Sequence, residues 1–154
     1  MIDPRRLTAL VTLSVVGSLL APVTSVVASV PQDVTINAHT EYLCPAASSC
    51  VFVAHGAIED YGTVTSIPIV ISAINSPVVG TAQWRKTFVG QQGSFVIKLE
   101  SRVTGAELQV PETGQWVIVS GTGAYADLQG QGSETGVRDY GANSLEAFLT
   151  GTVH

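Results

Sequence analysis

Apolar and polar residues alternate along most of this chain, and the period is two. Val34, Ile36, Ala38, Thr40 and Tyr42 share one face of a segment whose other face carries Thr35, Asn37, His39 and Glu41, which predicts a half-buried strand. Val51 to Ile58 reads as a second strand, partly apolar on both faces. Glu59-Asp60-Tyr61-Gly62 has the composition of a turn. Ile67 to Ile74 is a β-branched run, in which Pro68 favours an edge or a strand start because it has no amide hydrogen to donate. Val78 to Val89 and Ser94 to Val103 make the clearest hairpin: in the second arm Phe95, Ile97, Leu99 and Val103 alternate with Ser94, Lys98, Glu100 and Arg102. Thr104-Gly105 and Pro111-Glu112-Thr113-Gly114 bracket a short link before a strand at Trp116. Strands at Gln131 to Arg138 and Leu145 to Val153 follow, joined by Asp139-Tyr140-Gly141-Ala142-Asn143.

These segments predict an all-β domain of about eight short antiparallel strands, with no stretch amphipathic enough for a real helix. Closure into a barrel is the better expectation than an open sandwich, because closure removes the exposed edges on which other chains could add. The first 28 residues stand apart. Arg5 and Arg6 precede an uncharged apolar run from Leu7 to Val27, and Val26-Val27-Ala28 supplies a cleavage pattern. Residues 1–28 therefore read as a signal peptide and 29–154 as a single barrel domain, secreted or periplasmic, with no membrane attachment once the segment is removed. A retained anchor is the rival reading, since the run is nearly long enough to span a bilayer.

Losing Arg5, Arg6 and Asp3 leaves the remainder one unit more acidic than the whole chain's −5. An acidic domain whose only basic pair is Arg85-Lys86 has no footprint for nucleic acid. Cys44 and Cys50, an even pair in an exported chain, are expected to form a disulfide across a short loop. Two thiols with His39 and His55 at a distance do not make a four-ligand set, so no metal is expected.

One stretch could be taken for cofactor chemistry. Gly121-Thr122-Gly123-Ala124-Tyr125-Ala126 follows a strand and formally fits the glycine-rich dinucleotide fingerprint. That motif works only at the start of a helix whose first amides hold a pyrophosphate. Here Gly130 and Gly132 limit Ala124 to Leu128 to about one turn, so no cofactor is expected.

The same glycines, together with Phe88, Gly90, Gly93, Ser94, Phe95, Tyr125 and Leu128, give a pattern that resembles the allene oxide cyclase-like barrel superfamily. That group includes plant dirigent proteins and small bacterial domains of undefined function. The resemblance is good from Val78 to His154 and rests on general strand layout before that. It implies an eight-stranded antiparallel barrel around a central apolar cavity. The matching residues are turn glycines and core aromatics, and the cyclase's catalytic residues do not carry over to any position here.

If the barrel is right, chemistry lies on inward-facing side chains. Parity places Trp84, Lys86 and Phe88 together on the inner face, opposite Gln83, Arg85 and Thr87. An inward Lys86 between two aromatics would be a polar anchor for a ligand; a bulge that swaps the parity would instead let it reach solvent, the commoner fate of a lysine. If Lys86 is inward and has no acidic partner, Lys86→Met should raise stability while weakening ligand binding. Glu134 and Arg138 share a face with Gly130, Gly132 and Gly136, where small residues leave room for a ligand; ordinary outward charges are the alternative. His55 and Glu59 could form an acid–base pair or a solvated pair near a turn, and His39 and Glu41 read as exterior. The candidate ligand-binding set is thus Trp84, Lys86, Phe88 and Glu134. It supports an exported barrel that binds or orients a small apolar molecule in its lumen, with a cyclase or isomerase, or a structural barrel with a filled core, as alternatives. Self-association is left open.

Overall fold

The structure, a computed structural model, describes residues 30–41, 50–74 and 79–154. Eight antiparallel strands close into one barrel: β1 (Gln32–Glu41), β2 (Val51–Gly56), β3 (Asp60–Ile74), β4 (Val79–Gly90), β5 (Gly93–Thr104), β6 (Gln109–Gly123), β7 (Gly130–Asp139) and β8 (Ser144–Val153). Each strand pairs with the next, and β8 returns to β1, which closes the barrel. The expected eight-stranded antiparallel barrel is the fold observed. Residues 1–28, expected to be a signal peptide, and Cys44 lie outside the described residues, and the expected Cys44–Cys50 bridge with them. Cys50 itself is buried, and its Sγ accepts a hydrogen bond from the Glu41 amide at 3.2 Å.

Period-two alternation sets the interior. Val34, Ile36, Ala38 and Thr40 of β1, Phe95, Ile97 and Leu99 of β5, and Leu145, Ala147 and Leu149 of β8 all point inward. Three local features differ from the sequence reading. Asp60-Tyr61-Gly62 opens β3 instead of turning; the turn falls earlier, where Gly56 takes φ 95° and the Ala57 amide bonds the Asp33 carbonyl at 2.9 Å. Pro68 lies within β3 rather than at its start. It sits at a register slip between Pro68 and Val70, where a bulge tolerates the missing donor. Pro111 to Gly114 are not a link but the early part of β6, because Pro111 faces out and Glu112 finds a partner inside the barrel.

The two ends of the barrel are unlike. At the end that carries the β2–β3, β4–β5 and β6–β7 turns, aromatic rings fill the lumen. Phe88 stacks on Phe95 with centroids 4.7 Å apart, and Phe52 and Tyr125 meet them edge-on. Residues Ala124 to Leu128 make a turn, as their glycine flanks dictate, and this drops Tyr125 into the end of the barrel. Asp60 closes that end. Its carboxylate accepts from the amides of Tyr61 and Gln91 at 2.8 Å, from Gln92 at 3.2 Å and from the Tyr125 hydroxyl at 2.8 Å.

Burial alone would raise the Asp60 pKa, but these donors outweigh it and hold the carboxyl below its ordinary value of 3.8. A depressed carboxylate pKa means stability that is present above the unfolded value and lost as pH falls through the folded one. Asp60→Asn is therefore expected to cost about 2 kcal/mol near pH 7, since charge-assisted bonds are lost. The difference from wild type should shrink as the pH drops below 3.8. Thermal unfolding across that range checks it; equal stability of both proteins at pH 7 would contradict it.

Candidate functional site

Above the aromatic plug the interior changes character. β4 presents Ala82, Trp84, Lys86 and Phe88 inward, and the alternation needs no bulge on that strand. Lys86 is 1% exposed, and its Nζ donates to Glu134 Oε1 at 2.6 Å. Because β4 and β7 are not neighbours in the sheet, this ion pair spans the lumen. Glu134 faces inward as well, so the outward-charge reading of β7 is corrected. So is the unpartnered-lysine premise for Lys86→Met.

The glycines around Glu134 make room for packing, not for a ligand. A Cβ on Gly132 or Gly151 would come within 2.7 or 2.6 Å of the Trp116 ring, so the indole occupies that space. Trp116 Nε1 donates to the Ser133 carbonyl at 3.1 Å, which fixes the ring against β7. On β6, the inward position two residues before Gly114 is Glu112. Glu112 Oε2 accepts from Arg138 Nε at 2.7 Å, a second ion pair one layer nearer the opposite end. The Arg138 guanidinium also lies over the Trp84 ring, 5.5 Å from its centroid, and Trp84 Nε1 donates to Ser101 Oγ at 3.2 Å.

Glu134 is the one uneven member of this stack. Its Oε2 is buried and has no hydrogen-bond partner among the described residues. Burial pushes its pKa above the usual carboxylate range. Lys86 pulls it back through charge and hydrogen bond, the Glu112 charge adds to the rise, and Arg138 opposes it.

The end with the β5–β6 and β7–β8 turns opens into a cavity of about 410 Å³. Ile71, Ala82, Trp84 and Val103 line it with apolar surface, and Glu112 and Arg138 place polar groups in the wall. Tyr140 and Asn143, the latter in a left-handed turn with φ 57°, stand at the rim. A larger depression of about 730 Å³ is lined chiefly by outward-facing residues, among them Gln83, Glu100, Arg102 and Gln115. The inner cavity is the better site, because converging polar groups in an apolar recess are what hold a small molecule.

The sequence-selected residues divide between three layers. Trp84 lines the cavity, Lys86 and Glu134 are paired beneath it, and Phe88 belongs to the aromatic plug. The Glu112–Arg138 pair and Ser101 were not selected. Glu112 would have been found by continuing the alternation through Pro111, since Val110, Glu112, Gly114 and Trp116 share one face. His55 and Glu59 form an exposed pair at 3.2 Å around the β2–β3 turn, and His39 bonds Glu146 on the outer face. Among the described residues no cluster of three or more potential metal ligands occurs. No protein-family model, curated protein or solved structure matches the chain.

Removing Lys86 would leave a buried carboxyl without its cation. Lys86→Met is expected to destabilise by about 3 kcal/mol at pH 8, reversing the earlier expectation of a gain. The raised Glu134 pKa makes the folded state prefer the protonated acid, so stability is lost as pH rises through that pKa. The cost of Lys86→Met should accordingly shrink toward pH 5, and Lys86→Met/Glu134→Leu should recover most of it. Denaturant unfolding at both pH values measures this. A pH-independent cost that the double variant does not recover would contradict the pairing.

Proposed function

We propose that this barrel is an exported binding protein that takes a small, mainly apolar molecule into the cavity at its open end. The observation that carries this reading is the asymmetry of the lumen: one end is filled with aromatic rings, the other left hollow over paired charges. A barrel serving only as structure would gain stability by filling that space, since an unfilled apolar cavity forfeits packing. The resemblance to allene oxide cyclase-like barrels points the same way, and the export reading rests on residues 1–28. In this proposal the ligand rests on Trp84, Ile71 and Val103, and the ion pairs form the polar part of the wall.

A cyclase or isomerase remains the second reading, and Glu134 is the observation in its favour. A buried acid held above its ordinary pKa, with one oxygen unpartnered, is the kind of group that exchanges a proton with a substrate.

Binding of the neutral probe N-phenyl-1-naphthylamine, followed by its emission and by quenching of tryptophan, tests the proposal. Ala82 sits at the cavity wall and is only partly buried, so Ala82→Trp should fill the space without a large loss of stability. The variant is expected to bind the probe at least tenfold more weakly, about 1.4 kcal/mol. No binding by wild type, or equal binding by Ala82→Trp, would overturn the site.

A further inference from the structure

We propose that the ligand of the open-end cavity is an apolar carboxylate, whose carboxylate is received by the terminal amino groups of Arg138; this rests on the cavity being the binding site. A guanidinium has five N–H donors in a planar fork. In Arg138 only Nε–H is engaged, by Glu112 Oε2 at 2.7 Å, and the terminal amino groups have no hydrogen-bond partner among the described residues. The side chain is nonetheless held in place. One edge is fixed by Glu112, one face lies over Trp84, and only 14% of the side chain is exposed.

The terminal amino groups are not buried: among the described residues only Glu134 Oε2 is both buried and unpartnered, so these donors stay accessible in the cavity wall and can meet an acceptor on a bound molecule. A carboxylate matches them best, because its two oxygens meet two parallel N–H groups and the bond is charge-assisted. Trp84 and Val103 in the same wall would take the apolar body.

Lys86 and Arg138 are each matched by one carboxylate, Glu134 and Glu112. Asp139 at the rim does not neutralise Arg138 directly: its oxygens are taken by Gln109 Nε2 and the Ala142 amide, each within 2.8 Å.

The test compares 2-naphthoate with the isosteric neutral 2-naphthamide, by calorimetry on the intact protein, with N-phenyl-1-naphthylamine as the neutral reference. Wild type should bind the carboxylate at least tenfold tighter than the amide. Glu112→Gln/Arg138→Gln, which removes both charges of the pair together, should bind the two equally. A cooperative thermal transition shows that the variant is folded. Equal binding of naphthoate and naphthamide by wild type, with the reference still bound, would overturn the carboxylate reading and leave the cavity standing. A preference that survives in the double variant would also overturn it, by assigning the preference to another group. If wild type binds none of the three, the cavity proposal fails and this one with it.

Discussion

The Lys86–Glu134 ion pair is the constraint around which the interior is arranged. Two charges removed from water repay their desolvation only when geometry is good and other charges are placed to help. Here the two come from strands that do not touch in the sheet, so the pair acts as a strut across the lumen and ties β4 to β7. Its presence forbids a uniformly apolar core. The neighbouring layer answers with Glu112 and Arg138, and the indoles of Trp84 and Trp116 pack around the charged centre.

A gradient follows along the barrel axis. The aromatic end is filled and closed, with Asp60 gathering donors from Tyr61, Gln91, Gln92 and Tyr125. The middle holds the strut. The open end holds a cavity whose wall combines apolar side chains with an arginine that has donors to spare. A barrel can be filled, or it can hold something; this one does the first at one end and is proposed to do the second at the other. The β3 bulge contributes by shifting the face of the strand beyond Pro68. Ile71 thereby comes opposite Ala82 at the cavity, while Val70 stands outside opposite Gln83.

The architecture was legible in the sequence because period-two alternation and turn glycines are local signals. Strands β4 and β5 announce themselves through Trp84, Phe88, Phe95, Ile97 and Leu99. Lys86 could be placed on the inner face by parity, yet its environment could not. That Glu134 meets it depends on how far each strand is staggered when the barrel closes, and nothing within a single strand encodes that stagger. Glu112 was hidden for another reason: Pro111 and Gly114 look like a break, although the alternation of Val110, Glu112, Gly114 and Trp116 runs on through them. The role of Gly132 was misjudged, since the indole that fills its space comes from another strand.

The most direct measurement of the central claim is a crystal structure of the purified protein grown with saturating 2-naphthoate. The account requires the naphthalene against Trp84 inside the open end, with the carboxylate on the Arg138 terminal amino groups and the Lys86–Glu134 bond intact beneath it. A ligand lodged on the outer face among Gln83, Glu100 and Gln115, with the inner cavity left vacant, would contradict it.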